Sequence, residues 1–341
     1  MTTSTKTRLG LAAGLMLGTA LPAAAQSDSL TLCWAAWDPA NALVELSKDF
    51  TAESGIAMNF EFVPWPNFTD RILNELNAGG DLCDLLIGDS QWLGGSAENG
   101  YYVKLNDFFE AEGITMGATS VLYPFGFKYE TEPGSYAMDG AVNSAEAVAG
   151  LEFYKELYDC CTPPGYTDSY MEQGLDAFKS GQVAMMMNWF AFMPGMAKDE
   201  VVGDVTGFFV NPAEKVPAST LGGQGISVVA NTDNMDGALA YIKWFAQPEV
   251  QKKWWSLGGY ACHNAVLNDP AFVDSQPFAG QFLEAMGQVQ DFWQEPAYAQ
   301  LLQAMQKRLH DYVVADQGTA QEALDQLIAD WTEIFEDEGK L

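Results

Sequence analysis

The stretch SLTLCWAAWDPANALVELSKDFTAESGIAMNFEFV, residues 29–63, decides the fold class. Its first seven residues read as a buried strand, and Asp38-Pro39 then supplies an N-cap followed by proline at the first helical position. Ala42, Leu43, Leu46 and Phe50 keep helical spacing, and Gly55 closes that helix in the left-handed conformation glycine adopts at least cost. Met58 to Val63 follows as a strand. Further on, Asn67 caps a second predicted helix that carries Ile72, Leu73 and Leu76 and ends at Gly79-Gly80. Asp84 to Gly88 is the third strand. This alternation implies parallel pairing, because parallel strands need a crossover between them and a helix supplies it.

In such sheets ligands bind beyond the carboxyl ends of the strands. Here those ends are rich in aromatics: the first strand runs into Trp34 and Trp37, the second into Trp65-Pro66-Asn67-Phe68, the third into Asp89-Ser90-Gln91-Trp92. A single tryptophan is more often core than contact surface. Three indoles that each fall just past a strand end read differently, since core residues lie within strands or on helix stripes. Trp37, Trp65 and Trp92 are therefore candidate stacking surfaces, with Asp89, Ser90 and Gln91 beside them.

Toward the N-terminus, Lys6 and Arg8 precede an apolar run from Leu9 to Leu21 and the small residues Ala23-Ala24-Ala25. The run is about 13 residues, too short to cross roughly 30 Å of hydrocarbon, and the pattern is that of a secretory signal peptide cleaved after Ala25. The mature chain is expected in the periplasm, freely diffusing, because the first cysteine is Cys33 and none stands at the cleavage site. The charge is strongly acidic, with 16 Lys and Arg against 46 Asp and Glu and a net charge of -30. Nucleic acid is excluded as a partner, since phosphate backbones select basic stripes. An anionic solute is disfavoured at long range.

The second half repeats the alternation with longer helices. Asn143 and Glu146 form a capping-box pattern before Val148, Leu151, Tyr154 and Leu157, and the helix stops near Cys160-Cys161. A helix over about 170 to 178 leads into a predicted strand, Val183 to Met187, whose methionines read as core filler. Asn188 and Trp189 at its end are further site candidates. Gly207 to Val210 reads as another strand, and Gly222-Gly223-Gln224-Gly225 precedes one at Ile226 to Ala230. This glycine cluster lacks G-x-G-x-x-G spacing and a following helix, so it is no dinucleotide site. Gly223 and Gln224 join the candidate list. Helices are expected over 236–246 and 248–257, then three from about 278 to the C-terminus.

Catalytic chemistry needs an activated nucleophile, a poised base or a cofactor, and no spacing supplies one. Gly94-Gly95-Ser96-Ala97-Glu98 falls one glycine short of G-x-S-x-G. No enzyme, cofactor or metal is expected. Of five cysteines, Cys33 and Cys83 are the first candidate pair, on neighbouring strands; adjacent Cys160 and Cys161 are expected to pair elsewhere rather than with each other. Aromatics with a few amides and carboxylates suit a sugar, whose C–H faces stack on indoles while its hydroxyls take directed hydrogen bonds. A small neutral solute, a sugar or polyol, is the expected ligand. A periplasmic carbohydrate-active enzyme and a metal or polyamine binder are the alternatives.

Several stretches resemble the extracellular solute-binding proteins of sugar ABC transporters, the group that includes maltose-binding protein. They are the signal peptide, Leu30 to Trp37 with its helix, Asp84 to Asp89, Ala238 to Lys253 and, most specific, Phe178-Lys179-Ser180-Gly181-Gln182-Val183-Ala184-Met185 before Asn188-Trp189. The resemblance implies a type II periplasmic-binding-protein-like α/β fold, with two α/β lobes closing on solute in a cleft between them. It assigns 27–112 and 218–272 to lobe one, 113–217 and 273–341 to lobe two, and implies a monomer that hands solute to ABC permease subunits in the inner membrane. One departure stands out. After Asp107-Phe108-Phe109 the family continues through a hinge strand, a tyrosine-rich segment and another helix start; here Glu112 to Met116 leads directly to Leu122-Tyr123-Pro124-Phe125-Gly126. The second lobe is shortened, which implies weak solute binding unless Tyr123 and Phe125 fill the missing wall.

Overall fold

The computed structural model describes residues 29–103, 124–163 and 171–341. The leader and Tyr123 lie outside them. A four-stranded sheet orders β2-β1-β3-β5, formed by β1 (Ser29–Ala35), β2 (Ala57–Val63), β3 (Leu85–Asp89) and β5 (Gln224–Val228). The first three run parallel, as the crossover logic requires, while β5 returns antiparallel to β3 with Asp89 opposite Gln224. β1 is central, so both of its faces are buried: Leu30, Leu32, Cys33 and Ala35 are sealed. Helices α1 (Asp38–Ser54) and α2 (Trp65–Asn77) are the crossovers, burying Leu43, Leu46 and Phe50 from one and Phe68 and Ile72 from the other. Gly55 ends α1 at φ 77°. The second helix begins earlier than the Asn67 cap predicted, at Trp65 after Pro64, because Pro66 in its first turn presets the helical backbone.

Asp84 is the polar tie of this sheet. Its carboxylate accepts from the Thr31 amide at 2.7 Å and the Thr232 hydroxyl at 2.5 Å, joining β1 to the segment after β5. A buried carboxylate persists when its oxygens are satisfied in this way. Cys33 and Cys83 form the expected disulfide.

α3 (Leu93–Glu98) follows β3, and α4 (Ala145–Cys161) opens the second half. Its cap is Ser144, whose hydroxyl accepts from the Ala147 amide, and not Asn143. Asn143 is engaged elsewhere, accepting from the Gly140 amide and donating to Asp325. Cys160 and Cys161 bond to each other, contrary to the sequence expectation. They end α4 on an exposed stretch, and of the other described cysteines Cys33 and Cys83 are bonded to each other while Cys262 is free. α5 (Met171–Lys179) and α6 (Met193–Ala197) follow.

The predicted strands at 183–187 and 207–210 do not form: neither segment pairs in a sheet among the described residues. Met185 is 85% and Phe209 83% exposed, so the methionines are not core filler. A strand signal needs a neighbour to be realised, and among the described residues neither segment has one. β4 (Ser219–Thr220) and β6 (Val289–Gln290) pair in parallel as a separate two-stranded ribbon. α7 (Met235–Phe245) and α8 (Pro248–Leu257) complete the first core, α9 (Asn264–Leu267) and α10 (Ala279–Met286) pack around Trp255 and Phe282, and α11 (Tyr298–Val313) and α12 (Ala320–Asp337) pack on α4. Arg308 grips Asp330 with two bonds of 2.7 and 2.8 Å across α11 and α12.

Candidate functional site

The carboxyl end of the sheet, with the turns and helix that leave it, carries a run of rings in mutual contact. Trp34 meets Trp37 edge-on at 5.4 Å, and Trp37 meets Trp65 edge-on at 5.5 Å. The run continues from Trp65 to Phe68 at 5.7 Å and from Phe68 to Trp92 at 5.2 Å. Edge-to-face contacts of this kind fix ring orientation while leaving one face of each ring outside the contact. Trp37 and Trp65 are half-buried, as a stacking surface requires. Trp92 is not such a surface: it is 8% exposed and packs under Gly88 and against Phe68 in the first core. The helical turn that begins at Ser90 rotates it inward.

The second half of the chain closes on this rim at three points. Phe192 packs against Trp37 at 6.2 Å. Gly195 lies so near the start of α1 that a Cβ there would stand 2.9 Å from Oδ2 of Asp38. Trp189, 40% exposed, sets its indole Nε1 against Gly222, where a Cβ would come within 2.3 Å. Gly222 also holds φ at +58°, so two separate constraints require glycine there. Asn188 uses its side-chain oxygen to accept from the Trp189 amide, which orders the approach to that ring. Phe125 does not fill the rim; it packs on Phe153 and Gly150 of α4.

The polar part lies at the junction of β3 and β5. Gln224 accepts from the buried Trp34 indole at 2.9 Å. The Asp89 carboxylate accepts from the Gln91 amide at 3.0 Å, capping the short 3-10 turn Ser90–Trp92. Burial lifts the Asp89 carboxyl to about 6, and the neighbouring Asp291 carboxylate adds to the rise, against the lowering by the Gln91 amide. Ser90 donates its amide to the Gly223 carbonyl at 2.8 Å and its hydroxyl to Asp291 at 2.6 Å. Of the residues singled out in the sequence, the fold thus gathers Trp37, Trp65, Asp89, Ser90, Gln91, Trp189, Gly223 and Gln224 at one edge of the sheet.

Asp291 and Phe192 belong to the same edge and are absent from the sequence reading. Asp291 follows a two-residue strand, too short to leave a periodic signal; Phe192 was within reach, three residues past Trp189 in the same aromatic run. Among the described residues no group of three or more His, Cys, Asp or Glu is placed to hold a metal ion. Such a rim offers flat apolar faces beside a carboxylate acceptor and an amide donor.

A family model, Bacterial extracellular solute-binding protein, matches residues 36–252. The chain belongs to that family. The matched region of this solute-binding protein includes both the aromatic rim and the β3–β5 junction. Among curated relatives it is 25% identical over 177 residues to a probable ABC transporter-binding protein from Deinococcus radiodurans, a match covering 51% of this chain and 41% of that one. The chain thus spans less than half the length of that relative. Among solved structures, a maltose-bound MalE3 from T. maritima superposes with a TM-score of 0.74 at 18% identity, covering 90% of this chain and 99% of that one. An ABC transporter solute-binding protein from Agrobacterium radiobacter in complex with ribitol gives 0.68 at 19% identity, covering 90% and 98%. The fold is therefore that of type II periplasmic binding proteins, two α/β lobes about a cleft.

Proposed function

We propose that this chain is the solute-capturing component of an ABC importer for a neutral sugar or polyol, and that solute binds on the rim of Trp37, Trp65 and Trp189 with Asp89 and Gln224 as hydrogen-bond acceptor and donor. The observation that carries this is the meeting of the two halves of the chain, the Phe192 ring on the Trp37 ring and the Trp189 indole on the Gly222 backbone, at the edge of the sheet that carries a desolvated carboxylate. Stacking faces with directed polar groups are what a polyhydroxylated ring or chain requires. The structurally similar proteins from T. maritima and A. radiobacter are described as holding maltose and ribitol, which supports the choice of ligand class.

In this reading the leader 1–25 is removed on export, the mature monomer works in the periplasm, and permease subunits in the inner membrane receive the solute. Segments 27–112 and 218–272 form lobe one; 113–217 and 273–341 form lobe two. The shortened region lowers affinity, since Phe125 is engaged with α4 and Tyr123 lies outside the described residues. Inserting the family's missing elements there is expected to tighten binding, and an unchanged Kd contradicts that part of the reading.

A glycoside-cleaving enzyme draws on one observation, the raised Asp89 carboxyl beside Asp291, because paired carboxyls with one raised perform acid–base cleavage. Oδ1 of Asp291 is already taken by three donors of the chain itself, which favours capture. Saturable binding of a sugar or polyol with no release from chromogenic glycosides is the expected result. Turnover lost in Asp89→Asn would establish the enzyme instead.

A further inference from the structure

Asp291 stands where three segments meet, the exit of β6 that carries it, the exit of β3 and the entry of β5. It leaves β6, whose residues pair with Ser219 and Thr220 of β4. Its Oδ1 accepts from the Ser90 hydroxyl at 2.6 Å, from the Phe292 amide at 2.9 Å and from the Gly223 amide at 3.3 Å. Ser90 in turn donates its amide to the Gly223 carbonyl, so the exit of β3, the entry of β5 and the exit of β6 form one closed hydrogen-bonded ring. Gly223 is required by this ring: a Cβ there would lie 2.8 Å from Oδ2 of Asp291.

A single oxygen that takes three donors is the work of a carboxylate, whose charge-assisted bonds are about twice as strong as neutral ones. The charged and titratable groups facing it are Asp89 at the end of β3 and the phenol of Tyr298, which shares a hydrogen bond with that of Tyr129. No described ion pair includes Asp291 or Asp89; the nearby Glu295 is paired with Lys340.

We infer that Asp291 is a positioning residue: its carboxylate ties the end of the β3–β5 ladder, where Asp89 and Gln224 face each other, to the exit of β6, and thereby fixes how that pair is presented to solute. The inference rests on the reading of the rim as the solute site. Asp291 touches the backbone that carries the contact residues and acts on solute through them. It also couples the lobes proposed above, because Ser90 and Gly223 belong to one and Asp291 to the other.

The test compares the full mature chain with Asp291→Asn and Ser90→Ala by amide exchange, carboxyl titration and binding of maltose, ribitol and mannitol. In Asp291→Asn the amides of Gly223 and Phe292 are expected to exchange roughly tenfold faster or more. Affinity for whichever solute the native chain binds is expected to fall about tenfold. The Asp89 titration midpoint moves down as the neighbouring charge is removed. Ser90→Ala keeps that charge, so it accelerates the Gly223 amide and leaves the Asp89 midpoint in place. A general loss of stability would not produce this split. Native exchange at Gly223 and Phe292 in Asp291→Asn, or native affinity with those amides released, overturns the inference. Should Asp291→Asn fail to fold, native exchange at Gly223 in Ser90→Ala overturns it. A native chain that binds none of the three solutes while the exchange pattern holds counts against the reading of the rim and not against the tie.

Discussion

Asp89 is held at about 6, above the 3.8 of a solvated aspartate, chiefly by burial. A folded value above the unfolded one means that its contribution to stability is fully present below about pH 4 and is lost as pH rises through about 6. Asp89→Asn, which keeps an oxygen to cap Gln91, is expected to be more stable than the native chain by about 2–3 kcal/mol at pH 7.5 and to match it at pH 4. Denaturant unfolding at the two pH values checks this; equal differences at both contradict it. A solute hydroxyl donating to Asp89 favours the ionised form, so affinity should rise as pH climbs through about 6 and level off above 7. The variant should lose that dependence. Among the rings, Trp189→Ala should remove binding with little change in Tm, while Trp92→Ala should lower stability by about 3–5 kcal/mol, the range for a buried large side chain. The position of Trp92 in the chain, just past a strand end, does not distinguish these cases. Whether a ring turns outward depends on one 3-10 turn after Asp89, and that turn is set by local backbone bonds to which hydrophobic spacing is blind.

The elements of the four-stranded sheet and its helices were legible because each carries its own instructions. Pro39, Pro66 and Pro248 open helices, Gly55 and Gly258 close them, and β1 is apolar on both faces because it lies at the middle of the sheet. The segments 183–187 and 207–210 carry strand composition without a neighbour to pair with, and pairing is a property of the sheet rather than of the strand. The two disulfides differ on the same ground. Cys33–Cys83 closes 50 residues of chain, so replacing both cysteines by alanine should cost about 2–5 kcal/mol. Cys160–Cys161 closes almost none, and its removal should change stability by no more than about 0.5 kcal/mol. Chemical denaturation of the two double variants checks the contrast, and equal losses would contradict the entropic account.

At the scale of the molecule, the rim is built from segments that are remote in sequence, which is why the strand-end residues of the four-stranded sheet could be named while Asp291 could not. Gly222 and Gly195 make that assembly possible, each admitting a neighbour where a methyl group would collide. Gly222→Ala is expected to displace Trp189 and weaken binding without exposing either core. The net charge is -30, and among the described residues no helix is long and apolar enough to cross a membrane. A ligand bound only by the folded state must raise its melting temperature. The most direct test of the account is therefore thermal unfolding of the mature chain against a panel of sugars and polyols, with the Trp37→Ala chain in parallel. A rise in Tm with at least one member, abolished in Trp37→Ala, is the expected result; a flat response across the panel, or a rise that survives the loss of Trp37, would contradict it.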